Sequence, residues 1–114
     1  MALPLRETQH GERTLVELTG KMDASTTPEI EARLLALIRS GSKFLVLDFT
    51  GVTYLASSGL RMLLVIVRTA TSLEGRLVLS GLDSTMSDTL EVTGFLPYFQ
   101  TVPTVAEALK ILEA

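Results

Sequence analysis

Residues Val46 to Val67 read VLDFTGVTYLASSGLRMLLVIV, and this stretch decides the fold. Phe44-Leu45-Val46-Leu47 is short, apolar and without alternation, the pattern of a central strand covered on both faces. Asp48 stands at the C-terminal end of that strand, a polar, turn-rich segment follows, and Ser57-Ser58-Gly59 leads into an apolar helical run. The order is strand, loop, helix start. A serine pair here puts a hydroxyl beside the helix's first free N–H groups, a location suited to an N-cap and also to a phosphate. Along the helix, Leu60, Leu63, Leu64 and Val67 form one stripe, and Met62, Val65 and Ile66 extend the apolar surface beyond it. Such a helix is either deeply buried or keeps a face for a partner.

On the N-terminal side, Leu3 to Thr8 and Thr14 to Thr19 alternate, with Leu3, Leu5, Leu15, Val16 and Leu18 as burial candidates around a turn at Gly11. They read as a hairpin or as two neighbouring strands. Gly20-Lys21-Met22-Asp23 closes the second strand, and Thr26-Thr27-Pro28-Glu29 opens a helix. Thr26 as N-cap gives a capping box with Glu29, whereas Thr27 as N-cap puts Pro28 at the first helical position. Ile30, Leu34, Leu37 and Ile38 give the inward face, with Gly41 as the stop.

On the C-terminal side, Thr69 to Glu74 ends the second helix, with Gly75 as its stop, and Leu77-Val78-Leu79 is a second buried strand. A weaker helix spans Ser84 to Thr93, with Met86 and Leu90 inward and Gly94 as its stop. A brief extended piece around Tyr98 to Thr101 follows, because Pro97 prevents helical continuation. The last helix opens on Thr104 with Glu107 as a capping box and turns Val105, Ala108, Leu109 and Leu112 inward. Strands followed by strand–helix units imply an α/β domain, a mixed sheet with about four helices packed on it, spanning residues 1–114 as a single unit.

Composition removes several classes of function. Hydrophobic residues make up 46% and charged residues 20% of the 114, as in a globular chain. A net charge of −3 and no block of Lys or Arg disfavour nucleic acid and membrane surfaces. The chain has no cysteine, which excludes disulfides and thiolate chemistry, and its one histidine, His10, excludes a multi-histidine metal site. The N-terminus lacks the basic and apolar regions of a secretory signal, and the apolar run Met62–Val67 is far too short to span a bilayer. A soluble, cytoplasmic protein is expected.

The chemical motifs are equally restrictive. A nucleophilic role for Ser57 or Ser58 lacks the G-x-S-x-G setting, and Gly51, Gly59 and Gly75 do not make a phosphate-cradling loop. Asp23 and Asp48 offer carboxylates for a Mg²⁺ site, or they satisfy loop amides instead. No enzymatic activity and no cofactor are expected.

The run Asp48 to Leu60, a strand ending in Asp and then Ala-Ser-Ser-Gly-Leu at a helix start, resembles the signature of the STAS domain. That family includes bacterial anti-sigma-factor antagonists and cytoplasmic portions of sulphate transporters. The resemblance extends along the chain: Gly20-Lys21-Met22-Asp23-Ala24 is similar to the family's Gly-x-Leu-Asp loop, and Thr26 to Ile30 to its following helix start. Leu90 to Phe95 with Phe99, and Ala106-Glu107-Ala108-Leu109, match its C-terminal half.

The resemblance implies an anti-sigma-factor antagonist at work in partner switching. In that family the unmodified antagonist binds an anti-sigma factor, which is also a serine kinase with a histidine-kinase-like ATPase fold; phosphorylation releases the complex, and a phosphatase resets it. By motif position the phosphorylated residue is Ser57, with Asp23, Thr53, Ser57, Ser58, Gly59, Arg61 and Met62 at the partner surface. Gly59 is expected to let a partner backbone approach; Arg61 either contacts an acidic partner or is a solvated charge. Met62, Val65 and Ile66 either meet the partner or pack in the core. Position 56 is Ala where phosphorylated antagonists commonly carry Asp. The alternatives are a non-phosphorylated STAS accessory subunit docked on a transporter or signalling complex, and a small-ligand site beneath the Asp23 loop.

Overall fold

The structure, a computed structural model, describes residues 4–113; Leu3, a burial candidate, lies outside them. Strands β1 (Leu5–His10) and β2 (Arg13–Met22) form an antiparallel hairpin, the first of the two arrangements the sequence allowed. Helix α1 (Thr27–Arg39), strand β3 (Phe44–Leu55), helix α2 (Ser57–Ser72), strand β4 (Arg76–Ser80) and helix α3 (Ser84–Val92) follow. A 3₁₀ turn at Leu96–Tyr98 holds Pro97, and strand β5 (Gln100–Val102) and helix α4 (Val105–Ile111) close the chain. The five strands lie in the order β1-β2-β3-β4-β5, with every pair after the first parallel.

This order fixes where the helices go. Parallel neighbours need a crossover, and crossovers of one hand between sequential strands bring their helices to one face of the sheet. Accordingly α1 (Ile30, Leu34, Ile38), α2 (Leu60, Leu63, Ile66) and α3 (Met86, Leu90) share one core with Val16, Leu18, Leu45, Leu47, Phe49, Leu77 and Leu79. The opposite face is covered by α4, where Ala108 and Leu112 pack on Leu15, Val46 and Val78. The strand pattern Leu45-Val46-Leu47 is thus buried on both sides as its sequence requires.

Two boundaries differ from the sequence reading. Strand β2 ends at Met22, within the Gly20–Asp23 segment expected to close it, whereas β3 does not end at Asp48 but runs seven residues further, to Leu55. The turn-rich segment is strand, accommodated by register shifts: Glu17 pairs with Asp48 and Thr19 with Gly51, then Gly20 with Val52 and Lys21 with Tyr54. At the end of α2 the left-handed residue is Glu74 (φ 64°), not Gly75; a Cβ on Gly75 would run into the Lys43 backbone carbonyl.

The capping bonds follow the sequence reading only in part. Thr26 is the N-cap of α1, but its side chain makes no cap bond; its hydroxyl donates to the Lys21 carbonyl (2.7 Å) and accepts from Asp23 N–H (3.1 Å). In α3 the cap is Asp83, whose carboxylate accepts from Met86 N–H at 2.8 Å. At α4, Thr104 caps as expected and accepts from Glu107 N–H.

Candidate functional site

Beyond the Asp48↔Ser80 pair, β4 stops while β2 and β3 continue as a two-stranded ribbon. The ribbon ends at the pair Met22↔Leu55, and Ala56 N–H donates to the Met22 carbonyl at 2.9 Å. Asp23 and Ser57 therefore leave the sheet side by side, one into the loop before α1, the other into α2. Paired strands, β2 with β3, build this juxtaposition.

The N-terminus of α2 is not capped by serine. Ala56 is the N-cap, in an extended conformation (φ −85°, ψ 173°) and with no side-chain bond, so Ser57 and Ser58 are the first two helical residues. The first helical bond runs from Leu60 N–H to the Ala56 carbonyl, so the N–H groups of Ser57, Ser58 and Gly59 lie ahead of the ladder. No acidic side chain occupies the first turn. These donors and the helix dipole favour an anion there.

The two hydroxyls are not equivalent. Ser57 is exposed. The Ser58 hydroxyl oxygen is buried and has no hydrogen-bond partner. Arg61, one turn along from Ser57, is exposed. Thr53 is exposed as well and is the extra residue of the second register shift, between Val52 and Tyr54. Bulges re-aim side chains beside functional surfaces; here Thr53 and the half-exposed Tyr54 line a cleft of about 170 Å³ with Asp83, Thr85 and Thr89 of the α3 start.

Two residues expected at the partner surface are internal. Met62 is 1% exposed and packs in the main core with Ile66; of the three apolar residues outside the main stripe, only Val65 reaches solvent. Gly59 is buried, and a Cβ there would lie 2.7 Å from Leu55 Cδ1 and 3.1 Å from both Met22 Cβ and the Met22 carbonyl oxygen. The close approach it permits is of α2 to the chain's own ribbon, not of a partner backbone.

The two aspartates satisfy local donors. Asp23 Oδ1 accepts from the Ser25 hydroxyl (2.7 Å) and the Ser25 N–H (2.9 Å). The Ser25 hydroxyl first, then the Ser25 and Thr26 N–H groups and the Lys21 charge, hold this carboxyl below its ordinary range against a smaller opposing desolvation. Asp48 is buried and accepts from Thr50 and Ser80. Among the described residues no group of three or more His, Cys, Asp or Glu is placed to hold a metal ion. His10 sits in the β1–β2 hairpin, at the opposite end of the sheet from Ser57.

Sequence reasoning missed the bulge at Thr53, the exposed Tyr54 and the uncapped start of α2. Ala56 was the available signal for the last, since alanine cannot accept a cap bond.

Residues 5–108 match the family model described as the STAS domain. Over 82 residues the chain is 32% identical to the "putative anti-sigma factor antagonist BtrV" of Bordetella bronchiseptica, covering 72% of this chain and 71% of that protein. The fold is similar to that of an anti-sigma factor antagonist from Mycobacterium paratuberculosis, with a TM-score of 0.88 at 23% identity over 96% of this chain and 93% of that one. It is also similar to the Bacillus cell fate determinant SpoIIAA in its phosphorylated form, with a TM-score of 0.75 at 22% identity over 96% and 99% of the two chains.

Proposed function

We propose that this chain, which belongs to the STAS domain family, is a non-catalytic, cytoplasmic anti-sigma factor antagonist whose complex with an anti-sigma factor is broken by phosphorylation of Ser57. The partner is an anti-sigma factor with a histidine-kinase-like ATPase fold, and a phosphatase restores the unmodified form. The net charge of −3 speaks against a nucleic-acid partner, and no helix among the described residues is long and apolar enough to cross a membrane.

One observation carries the reading: Ser57 is exposed at the uncapped start of α2 beside the Asp23 loop, while the neighbouring Ser58 hydroxyl is buried. A kinase reaches the first hydroxyl and not the second. Phosphate adds about −1.5 to −2 charges, which the free N–H groups and the helix dipole tolerate, so the fold survives modification. Arg61 lies four residues on, the spacing at which helical side chains meet, and long side chains lean toward the helix N-terminus. The same charge placed against a partner covering the Asp23 loop, Thr53 and Ser57 is desolvated and repelled by the Asp23 carboxylate.

Incubation with the cognate ATPase and Mg·ATP, followed by mapping of the phosphate by mass spectrometry, tests this. Phosphate is expected on Ser57, with Ser57→Ala unmodified and still bound. Ser57→Asp is expected to weaken the complex by about tenfold or more. Phosphate on Ser58 or Thr53, or unchanged affinity in Ser57→Asp, refutes the assignment.

A further inference from the structure

The branch point of the sheet is held by a buried polar group that the switch reading does not use. Asp48 is 8% exposed and lies inside β3, at the last pair with β4 and immediately before the first register shift with β2. Its Oδ1 accepts from the Thr50 hydroxyl (2.8 Å), the Thr50 N–H (3.4 Å) and the hydroxyl of Ser80 (3.1 Å), itself fully buried at the end of β4. Gly81 follows with φ +71°, and a Cβ there would collide with the Thr50 hydroxyl and Asp48 Oδ1. One oxygen thus ties the end of β4, the bulged turn of β3 and the exit toward α3.

We infer that Asp48 is a positioning residue for the site at Ser57: its Oδ1 fixes the bulge at Thr50, and so sets the course of the ribbon that delivers Thr53, the Asp23 loop and the start of α2. Everything the proposed partner touches on β2 and β3 lies beyond this point in the sheet. Without an acceptor at Asp48, Ser80 and Thr50 lose their shared partner, and nothing on the β4 side pairs with β3 past Ser80. The requirement is for an acceptor oxygen in this place, not for a charge. That distinguishes the inference from a carboxylate metal site, which needs the charge itself.

The inference rests on the proposed switch only for its consequence, and its structural core is read on the unmodified full chain. Amide hydrogen exchange is measured for the wild type, Asp48→Asn, which keeps the acceptor oxygen, and Asp48→Ala, which removes it. Asp48→Ala is expected to speed exchange of the amides of residues 51–56 by about tenfold relative to those of β4 and α4, with Asp48→Asn close to the wild type. Where Asp48→Ala does not fold, Ser80→Ala and Thr50→Val each remove one donor and are expected to give the same local pattern at smaller amplitude. The second readout is phosphorylation of Ser57 by the cognate ATPase, lowered in Asp48→Ala and restored in Asp48→Asn. Uniform loss of protection, no change at residues 51–56, or an Asn variant as impaired as the Ala variant overturns the positioning role. The expected exchange pattern with no phosphate on Ser57 in any variant overturns the switch alone.

Discussion

Replacing Gly59 with alanine separates two roles for this glycine, internal packing and access for a partner. The added Cβ arrives 2.7 Å from Leu55 Cδ1 and 3.1 Å from Met22 Cβ and the Met22 carbonyl oxygen, whereas carbon atoms in contact prefer about 3.5–4.0 Å. Leu55 Cδ1 is the end of a side chain and yields by moving off its rotamer, at about 0.5–1.5 kcal/mol. The Met22 carbonyl has less freedom, because it accepts the Ala56 N–H at 2.9 Å and closes the ribbon. Displacing it forfeits part of a hydrogen bond whose net worth is about 1 kcal/mol. Against these costs, alanine gains at most about 1 kcal/mol over glycine in a helix, and less in the first turn. The balance is a loss of about 1 kcal/mol, at the low end of the range for overpacking. It should lower the thermal midpoint by about 4–8 °C per kcal/mol. Chemical denaturation with matched m-values is the assay. A Gly59→Ala protein of unchanged or raised stability that has nonetheless lost its partner would refute the packing argument and restore Gly59 to the interface.

Two further outcomes follow from the same region. Ala56 already has the extended backbone of an N-cap, so Ala56→Asp supplies an acceptor to the free N–H groups of α2 and should stabilise the unmodified protein by about 1 kcal/mol in urea denaturation; no gain would mean that those donors are already satisfied. The Asp23 carboxyl, held low chiefly by the Ser25 hydroxyl and N–H, contributes stability that is present above the unfolded Asp value of about 3.9 and is lost as pH falls through the lower folded value. The Ser25 amide resonance should therefore titrate below the ordinary Asp range, and Ser25→Ala should move the Asp23 midpoint upward; a midpoint at or above the ordinary value in the wild type contradicts the bonding.

Much of the architecture was legible because it rests on local patterns. Apolar runs at Leu45–Leu47 and Leu77–Leu79 marked strands buried on both faces, and Ile30, Leu34 and Ile38 marked a helix face; each occupies the core as read. The outer half of β3 was illegible for a specific reason. Its buried residues are Phe49, Val52 and Leu55, a spacing of three that fits neither a strand's period of two nor a helix's 3.6. The period arises because register shifts fall after Asp48 and at Thr53, each adding a residue that faces no partner. Pairing with β2 creates those shifts, and pairing is not a local property. The α1 start was legible, with Thr26 as N-cap, but its capping bond was not: the Thr26 hydroxyl is engaged by Lys21 and Asp23 across the loop.

The serine pair gains its meaning from that non-local geometry. A serine at a helix start would ordinarily be used up as the cap, its oxygen spent on a backbone N–H. Here the cap position falls one residue earlier, on Ala56, because the Met22↔Leu55 pair and the Ala56–Met22 bond carry the strand that far before the helix begins. Ser57 is thereby displaced into the helix and exposed, the Ser58 hydroxyl is buried, and Gly59 packs against the chain's own ribbon. The Asp usual at position 56 in phosphorylated antagonists would occupy the same donors that a phosphate on Ser57 would use. With alanine in its place, those donors remain for the phosphate, so modification should stabilise α2 more in this chain than in its Ala56→Asp variant.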